Sequence, residues 1–187
     1  EHPQSEAYWG NVNPIGVRSC YDEGKRGAET LFFDYHRKYN IKIKVARLFN
    51  TYGPNMSIED GRAVSNFIVS ALKGETIKIY GNGSFTRSFC YVSDTVDALI
   101  KLMKAPEEIT GPINIGNPTE LSIEQLAKKI IHLTNSKSEI EYLSNLEDDP
   151  KIRKPDIIRA ESELNWKPVI DIDDGLRDTI NYFKKII

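Results

Sequence analysis

Cysteine is scarce in this chain. The two that occur, Cys20 and Cys90, are seventy positions apart and fit neither a disulfide framework nor a metal-ligand spacing. A reducing, cytoplasmic setting and no bound metal are therefore expected. Long apolar runs are missing too: none approaches the ~18 residues that suggest a membrane span, and the opening "EHPQSEAYWG" has no basic segment followed by an apolar one. No membrane contact is expected of this chain, with an anchor upstream of residue 1 left open. An excess of one charge is also absent, since 25 basic residues meet 27 acidic ones for a net charge of -2. Spread through the sequence, these give no field to recruit nucleic acid, and any anion site must be built from individually placed cations. There is no repeat and no low-complexity tract. With 187 residues, 40% of them hydrophobic, a sizeable core is expected rather than disorder. The first residue is not methionine, so the chain reads as a mature or clipped product, with residues missing upstream of Glu1.

What is present alternates between helix and strand signals. Residues 1–19, rich in Pro, Gly and Asn, read as irregular. From Tyr21 to about Tyr39, Ala28, Leu31, Phe32 and Tyr35 recur at three- and four-residue spacing and mark an amphipathic helix. "IKIKVARLFN" is a strand entering a buried sheet, and "TYGPNMSIEDGR" is a loop at its end, where open α/β sheets bind ligands. A helix from about 63 to 72 stops at Gly74, and "TIKIYGNGSFTRSFCYV" reads as strand, Gly-rich turn, strand. A helix over 94–104 is expected with Ser93 as its cap. "PINIG" is a strand, and "SIEQLAKKIIHLT" is a helix capped by Ser122 with a core stripe through Ile123, Leu126 and Ile130. The strand "EIEYL", the loop "SNLEDDPKIRKPD" and two helices, about 157–164 and 173–185, complete the chain, with Trp166 as a packing anchor.

Tyr21 and Lys25 lie four positions apart, which places them on one helix face. A lysine ammonium beside a phenol favours the phenolate, and a phenolate can take a proton from a sugar hydroxyl. The spacing alone is weak, because chance supplies about one such pair in a chain of this composition. Context adds to it. "RSCYDEGKR" is followed by a strand and "RLFNTYGP", then by "DGRAVSNFI", "IYGNGSFTRSFCYVSD", "INIGNP", "DDPKIRKPDI" and "LNWKP". In this order the motifs resemble the extended short-chain dehydrogenase/reductase family over nearly the whole chain. Within it, "HPQSEAYWGNVNPIG" and "DDPKIRKPDI" point to the UDP-glucuronate decarboxylases.

That resemblance implies an α/β fold: the C-terminal part of a Rossmann-type parallel sheet with a small mixed α+β substrate-binding lobe. Residues 1–60 would belong to the NAD-binding domain. Residues 61–187 would mainly form the UDP-sugar lobe, some segments returning to the first domain. It further implies NAD as cofactor, UDP-glucuronate as substrate, UDP-xylose as product, and a homodimer through a helix bundle. Tyr21 matches the base and Lys25 its partner, both also touching the cofactor, with Thr51 approaching it and Arg62 serving either cofactor or substrate. Asn50, Lys78, Tyr80, Arg87 and Arg153 match substrate-binding positions, and Arg153 also matches a catalytic arginine. Phe85 stands where relatives often carry glutamine. His2 would order its loop, and His36 and His132 have no ligand-spaced partner.

The family's G-x-x-G-x-x-G fingerprint does not occur in this sequence. It and a catalytic Thr or Ser with a neighbouring glutamate are expected upstream of Glu1, so that the chain corresponds to roughly the C-terminal 60% of a ~300-residue domain. Two alternatives stay open: 4-epimerisation or dehydration of a UDP-sugar, and a short product that binds nucleotide sugar without catalysis.

Overall fold

The computed structural model describes residues 1–145 and 152–187; the "DDPK" part of the expected loop falls outside the described residues. Helix α1, Ser19–Tyr39, ends where Asn40 takes a left-handed conformation (φ 52°) and its N–H reaches the His36 carbonyl. The basic residues His36, Arg37 and Lys38 in the last turn suit the negative end of the helix dipole. The helix forms as its periodicity requires, yet none of its residues is buried, and Leu31, Phe32, Tyr35 and Tyr39 are all exposed. The expected apolar stripe therefore exists without a partner among the described residues.

Strand β1 (Ala46–Leu48) pairs in parallel with β6 (Ile113–Ile115), and β2 (Thr51–Tyr52) with β5 (Cys90–Tyr91). Helix α2, Ala63–Lys73, stops at Gly74, whose φ of 70° is what a side chain would resist there. Strand β3 (Ile77–Tyr80) pairs in parallel with β8 (Ile140–Leu143); β4 (Thr86–Ser88) lies between antiparallel β7 (Glu120–Ser122) and parallel β9 (Ile152–Arg153). Helices α3 (Val92–Lys104), α4 (Ile123–Thr134), α5 (Ile158–Leu164) and α6 (Ile172–Phe183) complete an α/β fold dominated by parallel pairing.

Two apolar cores result. One gathers Phe67, Ile68, Ile77, Leu126, Ile130, Leu176 and Phe183. The other gathers Cys90, Leu102, Ile113, Ile115, Ile157, Ala160 and Trp166. Burial pushes the Cys90 thiol up to about 11, so it serves as an apolar filler rather than a nucleophile. Trp166 is the anchor its composition suggests, buried and donating from Nε1 to the Asp94 carbonyl at 3.0 Å.

One local expectation needs correction. Ser93 does not cap α3: the helix begins at Val92 after Tyr91, and no side chain caps it. The buried Asp94 carboxylate turns away instead and accepts the Val169 and Ile170 N–H groups at 3.1 and 3.0 Å. Strands β3 and β4, although joined by a Gly-rich turn, do not form a hairpin. The turn's carbonyls at Gly83 and Phe85 accept the Glu124 and Ile123 N–H groups at 3.1 and 3.0 Å. They thereby satisfy the open amides at the start of α4 and send β4 into a different sheet. At that same helix start the Ser122 expectation holds. Gln125 N–H donates to Ser122 Oγ at 3.0 Å, and Ser122 N–H donates to Gln125 Oε1 at 2.8 Å.

Candidate active site

Tyr21 and Lys25 occupy the first two turns of α1. The Lys25 ammonium lies 5.5 Å from the centre of the Tyr21 ring, and the Arg18 guanidinium carbon 6.0 Å from it. Three residues spaced one turn apart thus place the Tyr21 ring beside two cations in the first turns of the helix. The ring is 60% exposed.

Arg62, just before α2, holds the Asp60 carboxylate in a fork, Nε to Oδ2 at 2.6 Å and Nη2 to Oδ1 at 2.7 Å. Hydrogen bonding to Asp60 raises the Arg62 guanidinium above its ordinary range against a smaller effect of burial. The charge of Asp60, and then that of the Tyr21 phenol, act in the same direction. In return Arg62 holds Asp60 below the usual carboxylate range. The loop after β2 thereby brings a cation into electrostatic reach of Tyr21.

Two neighbouring cavities open on this side. One, of about 600 Å³, is lined by Tyr21 and Lys25; the other, of about 730 Å³, by Arg18 and Arg153. Gln4, Tyr8, Arg47 and Phe49 line both, so the two form one depression roofed by residues 1–13. This roof is pinned in place. Arg47 donates to the Glu29 carboxylate at 3.0 and 2.6 Å and to the Glu6 carbonyl at 2.9 Å, and His2 Nε2 lies 3.1 Å from Glu120 Oε2.

Arg87 and Arg153 are register partners on β4 and β9, which places the two arginines side by side. Arg87 is buried and donates to the Thr86 carbonyl at 2.8 Å. Asn50 follows β1, its carbonyl accepting the Cys90 N–H at 2.8 Å. The Thr51 hydroxyl is engaged by Thr95 Oγ1 at 3.1 Å and by the Phe49 carbonyl at 3.2 Å, toward α3. Lys78 and Tyr80 share the exposed face of β3, alternating with buried Ile77 and Ile79, and line neither cavity. The fold thus unites Tyr21, Lys25 and Arg153 around one depression and Arg87 with Arg153 on one sheet, while Lys78 and Tyr80 stand apart. Sequence reasoning passed over Arg18, Gln4 and Tyr8. For Arg18 the signal was its i−3 spacing to Tyr21; Gln4 and Tyr8 lie in "HPQSEAYWGNVNPIG", a stretch that points to the family and not to a site.

Comparison with known proteins identifies the family. UDP-glucuronic acid decarboxylase 3 of Arabidopsis thaliana is 59% identical over 175 residues, covering 94% of this chain and 51% of that protein. UDP-glucuronic acid decarboxylase 1 of Xenopus tropicalis is 53% identical over 184 residues, 98% of this chain and 43% of that protein. The chain therefore spans about half the length of the curated relatives it matches. Among solved structures, UDP-glucuronic acid 4-epimerase from Bacillus cereus, in complex with UDP-glucuronic acid and NAD, superposes with a TM-score of 0.86 at 25% identity, covering 99% of this chain and 60% of that one. The family model described as GDP-mannose 4,6 dehydratase matches residues 1–179, and the chain belongs to that family, within the extended short-chain dehydrogenases/reductases.

Proposed function

We propose that the full protein containing this chain is an NAD-dependent UDP-glucuronate decarboxylase that forms UDP-xylose. The observation that carries this reading is the Tyr21–Lys25 pair, with the ammonium 5.5 Å from the ring centre, on a depression that Arg153 also lines. Decarboxylase relatives at 53 and 59% identity support the choice of reaction. A dinucleotide suits the residues present: an exposed tyrosine with an ammonium 5.5 Å from its ring centre. When bound, NAD supplies a hydride acceptor for C4 of the sugar and returns that hydride at the end. Tyr21 removes the C4 hydroxyl proton as C4 becomes a ketone, and Lys25 steadies the phenolate. The ketone is β to the C6 carboxylate, so the C5–C6 bond breaks, CO₂ leaves and its electron pair enters an enolate. Arg153 serves protonation at C5, and Tyr21 gives its proton back to O4. Arg87 and Arg153 meet the diphosphate, with Asn50, Lys78 and Tyr80 on the rest of the nucleotide sugar. In this reading residues 1–60 belong to the NAD-binding domain and most of 61–187 to the substrate lobe. Two copies pair through helices that include α1, which sedimentation of the full protein as a monomer would disprove.

Product analysis by NMR after incubation of the full protein with NAD and UDP-glucuronate tests the reaction. UDP-xylose with one CO₂ per turnover is expected. UDP-galacturonate without CO₂ would make the protein a 4-epimerase, the reaction in the name of the Bacillus cereus neighbour.

A further inference from the structure

We propose that Gln4 is a positioning residue that sets where Arg153 stands relative to Tyr21. The inference rests on the decarboxylase reading and extends it to a residue outside the reacting groups. Strand β9 has two residues and a correspondingly short ladder, with Thr86 opposite Ile152 and Arg87 opposite Arg153. On its other side, at Pro155, the chain meets Gln4 in a single parallel bridge. There the Gln4 N–H donates to the Lys154 carbonyl at 2.8 Å, and the Gln4 carbonyl accepts the Asp156 N–H at 2.9 Å. Pro155 has no N–H to offer. The Lys154 N–H, one residue from Arg153, is taken up by the Gln4 side chain, Oε1 accepting at 2.8 Å. The same amide donates from Nε2 to the Glu1 carbonyl at 2.6 Å, which fixes its orientation. From the sheet behind, Asn114 Nδ2 donates to both the Gln4 and Asp156 carbonyls, at 2.9 and 3.0 Å, clamping the pair from β6.

Arg153 is therefore held between β4 on one side and the Gln4 bridge on the other. Gln4 and Arg153 also line the same cavity. Removing the Gln4 amide takes away the acceptor of the Lys154 N–H, the bond nearest Arg153, and leaves only the main-chain bridge at Pro155 on that side; small displacements of a reacting group cost rate steeply. The effect falls more on kcat than on substrate binding, because Arg153 shares the diphosphate with Arg87 but alone serves the protonation at C5.

The test uses the full protein. Gln4→Met, which keeps the length and removes the acceptor, is expected to lower kcat about 10- to 100-fold while KM for UDP-glucuronate changes less than about threefold. Gln4→Glu, which keeps an oxygen for the Lys154 N–H, is expected to recover most of that loss. In combination with Arg153→Lys, Gln4→Met is expected to add little, since both act through one group. Wild-type kcat in Gln4→Met, or full additivity with Arg153→Lys, overturns the proposal. If Gln4→Met does not fold, Gln4→Asn, too short to reach Lys154, carries the same expectation and the same overturning outcomes. Wild-type protein that releases no CO₂ sinks the decarboxylase reading and this one with it. Active wild-type protein beside an unimpaired variant sinks this one alone.

Discussion

Lys25 and Arg18 approach the ring of Tyr21, an exposed residue that also acts electrostatically on Arg62. If its oxygen is the base, Tyr21→Phe in the full protein removes proton transfer without disturbing the residues that meet the diphosphate. Turnover should fall by at least ~10²-fold, the usual worth of a positioned base, with UDP affinity within about threefold of wild type by calorimetry. Loss of UDP affinity with turnover retained would make Tyr21 a binding residue. This pair was legible because both members sit on one helix, where spacing alone fixes proximity. Gln4 and Lys154 were not, because their bonds join residues 150 positions apart and no local period encodes them. The neighbouring of Arg87 and Arg153 was hidden likewise, since strand register depends on the whole sheet.

Elements follow their own sequences closely where a cap or stop residue acts locally, as at Gly74 and at Ser122 with Gln125. They depart where a tertiary partner outbids the local signal. Gly81-Asn82-Gly83 has the chemistry of a hairpin turn, but the start of α4 takes its carbonyls and no hairpin forms. The C-terminal end of α3 shows the same rule in a form that sequence does not reveal. Lys44, just before β1, donates from Nζ to the Ala105, Pro106 and Ile109 carbonyls at 3.0, 2.6 and 2.8 Å. A lysine in an alternating "IKIK" strand pattern reads as solvated, whereas here it closes the end of a helix sixty residues away and suits its dipole. Lys44→Met keeps the stem and removes the donors. It is expected to cost about 2 kcal/mol, or a fall in Tm of about 4–8 °C by calorimetry, with UDP affinity unchanged. An unchanged Tm would show that water replaces the ammonium at no cost.

At the scale of the molecule, α1 is the feature that the chain's own packing leaves unexplained. Twenty-one residues form a helix that buries none of its side chains, held to the body through Arg47–Glu29 and through Arg26, which donates to the Trp9 carbonyl at 2.8 Å. Tyr21, Lys25, Phe32, Tyr35 and Tyr39 follow one another at three- to seven-residue spacing and so share a face, which is exposed along its length. Most helical stability in proteins comes from packing an apolar face, and an exposed aromatic face marks a surface that a further segment or partner covers. On the proposed reading, hydride chemistry at the Tyr21 end likewise requires a site from which water is excluded. One cover over that face would account for both an unburied helix and an exposed Tyr21. The 187-residue chain, supplied with NAD and UDP-glucuronate, is accordingly expected to release no CO₂ above background, and amide hydrogen exchange along α1 should be faster than along α4, whose Leu126, Ala127 and Ile130 are fully buried. Turnover by this chain alone, or protection of α1 equal to that of α4, would show that its aromatic face finds cover within these residues or in a second copy of them.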